Sequence, residues 1–166
     1  GDGTTLLSTA HPTQNGNQSN TLATAADLSE TSLESILIQI ADMKDERGLR
    51  VAAQGTQLII PTAYTFVAER LLESQLRTGT ADNDINAIKS GGYLPKGYHV
   101  MRRLTDADQF FVQTDVPDGL KYFTRSAMKK GMEGDFETGN IRYKCRERYS
   151  FGFTDWRGIF GSEGAA

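Results

Sequence analysis

The chain holds one cysteine, two histidines and one tryptophan in 166 residues. A single thiol, Cys145, permits no intrachain disulfide and no thiolate zinc site. His11 and His99 are the only imidazoles, so a Ser-His-Asp or Cys-His triad has to use one of them. Neither is accompanied by a nucleophile signature such as G-x-S-x-G. No apolar run approaches the ~20 residues of a membrane-spanning helix. The opening GDGTTLLSTAHP has no cationic segment leading into an apolar one, so it does not read as a signal peptide. Starting at Gly1 without an initiator methionine, in a polar and glycine-rich stretch, the chain reads as part of something longer. Positive charge is not in surplus either. The net charge of −3 argues against a dedicated nucleic-acid binder and leaves room only for local basic patches.

What is present is a chain with 38% hydrophobic residues and 17 glycines, which suits a sheet-rich, loop-rich domain or two small lobes sharing a core. Residues 1–27 are rich in Gly, Thr, Asn, Ser and Gln; they read as an extended arm or loop, with at most a short strand at 5–7. Such a segment is poorly stabilised alone and lies on something else. Helical spacing then begins abruptly. Ser29 is the expected N-cap, and Leu33, Ile36, Leu37, Ile40 and Met43 make an i, i+3, i+4, i+7 stripe. Lys44 and Arg47 fall in the expected last turn, and Gly48 is the expected stop. TQLII at 56–60 predicts a strand ended by Pro61, which starts a second helix over 62–75 through Phe66, Val67, Leu71 and Leu72. Residues 77–84 read as a loop, and Ile85 and Ile88 as one or two helical turns before Ser90-Gly91-Gly92.

The later pattern is one of strands: 98–104, 110–114 and 120–125, then 127–133 and 140–154 flanking GDFETG as a long antiparallel hairpin, then a short strand at 158–160 and a loose tail. The fold class is therefore α+β, helices early and strands late.

Chemistry-bearing motifs are scarce. Asp82-Asn83-Asp84-Ile85-Asn86 has the look of a calcium loop, but Ala87 stands where that loop needs glycine and Tyr93 where it needs glutamate. An Asp or Asn capping the next helix is the simpler reading. Asp106-Ala107-Asp108 reads as a turn, and Ser90-Gly91-Gly92 lacks the lysine and hydroxyl of a phosphate loop. The sequence points to no catalytic, cofactor-binding or metal site.

One feature stands apart, NIRYKCRERYSFGFT at 140–154. Side chains alternate between the faces of a strand. Arg142, Lys144, Arg146 and Arg148 share one face; Ile141, Tyr143, Cys145, Tyr149, Phe151 and Phe153 share the other, with Glu147. Lys129 and Lys130 on the facing strand add charge of the same sign, which is destabilising when directly opposed. Such a face takes its anions from elsewhere: another subunit's carboxylates, phosphates, or solvent. The aromatics are expected to pack on a helix as core.

Four segments, LLSTAHPT, ADLSETSLESILIQIADMKDERG, QLIIPTAYTFVAERLLESQLRTGTADNDINAIKS and GLKYFTRSAMKKGMEGDFETGNIRYKCRERYSFGFTDWRGIFGS, carry a family resemblance. Together they resemble the C-terminal half of a tailed-phage major capsid protein of the Mu-like prophage head-subunit family, with the Hong Kong 97 fold. The most specific are DFETGNIRYKCRERYSFGFTDWRGIFGS and LRTGTADNDINAI. The resemblance implies residues 1–27 as an extended arm or loop, 28–120 as an axial-domain-like region, and 121–166 as the long hairpin of the peripheral domain with a C-terminal tail. Nothing resembles the family's N-arm, extended loop or spine helix. The loops at 77–84 and 91–97 would then line a capsomer centre. No crosslinking residue carries over, because the lysine used elsewhere in the fold lies on the missing extended loop.

The implied function is that of a head subunit assembling into pentamers and hexamers around phage DNA. Its partners would be copies of itself, scaffolding and portal proteins, and packaged DNA only non-specifically. It would need no cofactor, small-molecule substrate or membrane, would be made in the bacterial host cytoplasm and would end in the virion. The basic strand would serve contacts between or within subunits before DNA, whose attraction here would be weak and sequence-blind. Two other classes stay open on the residues alone: a small hydrolase using His99 or a carboxylate pair, and a binding module holding nucleic acid on the hairpin.

Overall fold

The computed structural model describes residues 3–77 and 84–165. Its elements run in the order β1 (His11–Thr13), β2 (Gly16–Gln18), α1 (Glu30–Ala41), β3 (Gly55–Ile60), α2 (Thr65–Glu73), α3 (Ala87–Gly91), β4 (Tyr98–Val100), β5 (Phe110–Thr114), β6 (Leu120–Gly134), β7 (Ile141–Phe153) and β8 (Ile159–Ser162). The α+β class is as expected. Among the described residues three separate sheets form: β1-β2, the four-stranded β4-β3-β5-β8, and the two-stranded β6-β7.

The four-stranded sheet carries the core. β5 alternates Phe110, Val112 and Thr114 inward with Phe111 and Gln113 half-exposed, the period-2 pattern of a strand with one covered face. Its neighbour β3 is antiparallel to it and parallel to β4. Leu33, Ile36 and Ile40 of α1 and Ala68 and Leu72 of α2 join Leu58, Ile60, Phe110, Val112, Trp156 and Phe160 in one apolar cluster. Gly55 permits α1 to lie close: a Cβ there would meet Leu37 Cδ2 at 2.9 Å. Side chains of this kind contribute ~1.5–3 kcal/mol each when fully buried.

α1 starts as expected. Ser29 and Ser32 cap each other reciprocally, Ser32 N–H donating to Ser29 Oγ at 3.2 Å and Ser29 N–H to Ser32 Oγ at 2.9 Å. It ends earlier than expected, at Ala41 with Asp42 as C-cap, so Lys44 and Arg47 lie outside it. Asp45 explains the early stop. Its carboxylate accepts the N–H groups of Arg47 and Leu49, each at 2.8 Å, and organises a turn in which Gly48 has φ of 87°. Those N–H donors, Leu49's foremost, hold the Asp45 carboxyl below its ordinary pKa.

Pro61 precedes a short 3-10 turn at Thr62–Tyr64, and α2 follows it. Asn86 caps α3 as the simpler reading of 82–86 required. Its side chain accepts from Ile88 and Lys89 N–H and donates to the carbonyls of Leu71 and Ser74. The other candidate calcium residues Asp82 and Asn83, and most of the loop at 77–84, lie outside the described residues.

Other departures are local. The arm has no strand at 5–7; instead β1 and β2 pair as a small hairpin, and Thr21 bridges Gly161 beside the sheet edge. β4 stops at Val100, short of 104. Residues 163–165 are not loose: Ala165 N–H bonds Asp27 Oδ1 at 2.9 Å. The two strands expected at 120–125 and 127–133 form one strand, β6, with register shifts near 124–129. The largest correction concerns packing. Tyr143, Tyr149 and Phe151 cover no helix and stand exposed in solvent; of that row only Phe153, at the base, packs against the core.

Candidate functional site

The β6-β7 ribbon is the candidate site, and the residues at its base position it. Gly119 and Gly158 cross so closely that a Cβ on Gly158 would sit 2.6 Å from Gly119 Cα. Thr154 N–H bonds Gly119 O at 3.2 Å, Asp155 N–H bonds Asp118 O at 3.2 Å, and Lys121 pairs with Asp118 at 2.7 Å. From there strands of 15 and 13 residues leave the body, a reach of about 50 Å at ~3.3 Å per residue. No residue from 120 to 152 is buried. Ladders of this length are unusual, and a two-stranded ribbon by itself is at best marginally stable in water.

The pairing register decides which side chains share a face. Arg142 lies opposite Glu133, Lys144 opposite Gly131, Arg146 opposite Lys129 and Arg148 opposite Ser126. The four cations expected on one face are thus together there, joined by Lys129. Lys130 is not part of that stripe, because it pairs with Cys145 on the apolar face. Nor are all four cations without an internal anion: Arg142 Nη2 meets Asp135 Oδ2 at 3.2 Å. The Lys144 stem lies over Gly131, whose missing side chain leaves room for it. Arg146 against Lys129 is the unfavourable pair, like charges directly opposed across the ladder.

The opposite face carries Ile141, Tyr143, Cys145, Tyr149 and Phe151 from β7 with Met132 and Tyr122 from β6. Tyr122, Tyr149 and Phe151 form a triad of ring contacts, with centroids 5.2 to 5.5 Å apart. Tyr122 donates its hydroxyl proton to Glu147 Oε1 at 3.2 Å, which places the one carboxylate of this face. Desolvation, and after it Glu147, push the Tyr122 phenol above its ordinary pKa, against a lowering by Thr124. The patch is therefore ordered by its own contacts.

The tip is built around Asp135. Its carboxylate accepts Glu137 N–H at 3.2 Å and the Thr138 hydroxyl at 2.9 Å, as well as Arg142. Its backbone exchanges hydrogen bonds with Asn140 and Gly139 at 2.8 and 2.9 Å. This pinned loop holds Phe136 entirely in solvent, at 102% of its reference exposure. Nothing in the local sequence singled out Phe136; GDFETG reads as a turn, and its phenylalanine needed the geometry to become visible.

A second ordered cluster ties the arm to the body. His11 is fully buried, unlike the weakly held residue its neighbours suggested. It stacks on Trp156 with ring centroids 4.4 Å apart, and its Nε2 lies 3.1 Å from Asn20 Oδ1. Asn20 Nδ2 donates to the carbonyls of Leu6, Trp156 and Ile159. Arg157 lies over the Trp156 ring and bonds Lys44 O and Glu46. Every polar atom named here has a structural partner, which makes this a clamp.

Little else gathers chemistry. His99 is exposed on β4. Among the described residues no group of three or more His, Cys, Asp or Glu could hold a metal ion, and no helix is long and apolar enough to cross a membrane. The surface grooves, of about 240, 520 and 300 Å³, are shallow and lined by the arm, α1 and the C-terminal strand.

The distinctive feature of the chain is thus a long exposed ribbon with two unlike faces. Residues 1–162 match the family model of phage capsid proteins. The chain belongs to that phage capsid protein family, a family of structural proteins of the virion. A search of curated proteins returns no significant match.

Proposed function

We propose that this chain is part of the major head subunit of a tailed bacteriophage or prophage, a Hong Kong 97-type capsid protein most like the Mu head subunit. In this reading it assembles into pentamers and hexamers and closes a shell around the phage DNA. Residues 28–120 form the axial region and 121–166 the long peripheral hairpin with its tail; scaffolding and portal proteins take part in assembly, which proceeds in the host cytoplasm. The subunit works by geometry and many weak contacts, and performs no reaction.

The observation that carries the proposal is the ribbon. It is long, two-faced and bare on both faces, with like charges opposed at Arg146 and Lys129. A lone ribbon of this kind gains little from folding by itself, so a partner surface is the physical reason to keep it ordered. Contacts around a ring are heterologous, pairing different patches of one subunit. The cationic face suits carboxylates of a neighbouring copy: outside residues 120–153 the chain has seventeen Asp or Glu against ten Lys or Arg.

DNA is the second reading for that face, favoured by the same cations. Lys144→Glu with Arg146→Glu in the complete gene product separates the two. The shell-contact reading expects assembly itself to fail by negative-stain microscopy. Normal shells that fill poorly with DNA would give the face to the genome.

A further inference from the structure

Charge along the ribbon is segregated as well as divided between faces. The shaft, residues 120–132 and 141–153, holds eight Lys or Arg and one acidic residue, Glu147. The tip, residues 133–140, holds Glu133, Asp135 and Glu137 and no cation. Arg142 of the shaft already reaches into the tip to meet Asp135. Beyond the ribbon the chain is acidic.

We infer that the tip of one copy docks on the shaft of another, with Phe136 against the apolar face around Tyr143, Cys145, Tyr149 and Phe151. The inference rests on the shell reading and names a contact within it. Electrostatics selects the partner. Tip against tip opposes three carboxylates to three, and tip against body opposes them to an acidic surface. Shaft against shaft opposes cations to cations. The shaft is the cationic region of the chain. Most of its cations lie on the face behind the docking surface, which itself carries Lys130 and Glu147. Net charge therefore draws an acidic tip to the one-layer ribbon, and the apolar face seats it.

Shape and order support the same pairing. Phe136 is fully exposed on a loop whose conformation Asp135 holds, so binding has only its side chain left to order. A rigid aromatic knob at the end of a long lever is the form that interface anchors take. The apolar face of the shaft offers a matching surface, with the Tyr122, Tyr149 and Phe151 rings already in mutual contact. Lys130 lies on that face opposite Cys145, within reach of an incoming carboxylate such as Glu137. The contact is heterologous, since each ribbon gives a tip to one neighbour and a shaft to the next.

Cysteine chemistry tests this directly, because Cys145 is exposed and is the chain's single thiol. Within one ribbon Cys145 pairs with Lys130, four rungs back from the last pair, Ile141 with Gly134; those rungs alone span about 13 Å. A bismaleimide shorter than that span cannot join position 136 to Cys145 in the same chain. Applied to assembled Phe136→Cys particles, it is expected to link chains into a ladder on a denaturing gel. The unmodified chain, and Phe136→Cys with Cys145→Ala, should give no ladder. Particles of Phe136→Cys without linked chains would overturn the tip-to-shaft contact and leave the shell reading standing. If the natural gene product forms no capsomer or shell, the shell reading falls and this contact with it. Should Phe136→Cys fail to assemble, Phe136→Tyr and Glu137→Lys decide the matter. The docking requires the first, which keeps the ring, to assemble and the second, which reverses the tip charge, to fail; any other pattern overturns it.

Discussion

Asn20→Asp is the sharpest test of how the arm is held. The side chain is fully buried. Its Nδ2 donates to Leu6 O at 2.7 Å, Ile159 O at 3.0 Å and Trp156 O at 3.3 Å, while Oδ1 accepts Ser8 N–H at 2.9 Å. Aspartate keeps the shape and the acceptor but removes the donors. Trp156 O keeps the N–H of Ile159, and a protonated aspartate can serve one carbonyl, so at least one of the Leu6 and Ile159 carbonyls loses its partner. An unsatisfied buried polar group costs ~1–3 kcal/mol, and the loss should be at least of that order. Against a whole-domain stability of ~5–15 kcal/mol this is large. For a chain of this size it lowers the melting temperature by roughly 5 °C, at ~2–4 °C per kcal/mol. Trp156 is the single tryptophan and one of the carbonyls concerned, so its fluorescence during thermal unfolding reports both the global transition and the clamp. Asn17→Asp, exposed on β2, is the control and should stay within ~0.5 kcal/mol. If Asn20→Asp melts with the control, the clamp contributes nothing and the account of the arm is wrong.

Three further outcomes follow from the same geometry. Gly158→Ala should destabilise by ~1–3 kcal/mol, since its Cβ would meet backbone at 2.6 Å, whereas Gly134→Ala, with open space around it, should cost much less; chemical denaturation compares them. Arg157→Lys should cost ~1.5–3 kcal/mol, because an ammonium cannot bond Lys44 O and Glu46 together while lying on the Trp156 ring; thermal melts check it. Asp45 is held below its ordinary pKa, so its contribution is complete above the ordinary carboxylate range and is lost as pH falls through the depressed value. The unfolding midpoint should therefore fall at acid pH less steeply in Asp45→Asn than in the natural chain.

The sequence was most informative where a local cause acts locally. Ser29 capped α1, Asn86 capped α3, and the alternation of β7 put its four cations on one side of the ladder. It misled where a competing local bond won, as when Asp45 claimed backbone donors and cut α1 short of Lys44. Burial was legible for the apolar stripe of α1 and not for the ribbon. Alternation of apolar and charged residues says that two faces differ, and it says nothing about what covers either. Tyr143 and Phe151 therefore read as core and stand in solvent. His11 shows the reverse: a polar, turn-rich neighbourhood hides a buried ring, because its partners Asn20 and Trp156 are set by contacts remote in sequence. The four cations were visible as a stripe, while Arg142's partner Asp135 and the exposure of Phe136 required the folded tip.

The central claim, that this chain meets copies of itself through the ribbon, is tested most directly by the assembly state of the complete gene product. Analytical ultracentrifugation with negative-stain imaging should show capsomers or closed shells, and a dominant shift to smaller species in Lys144→Glu with Arg146→Glu. A stable monomer at all concentrations, with the ribbon ordered and the double variant indistinguishable from it, would contradict the account.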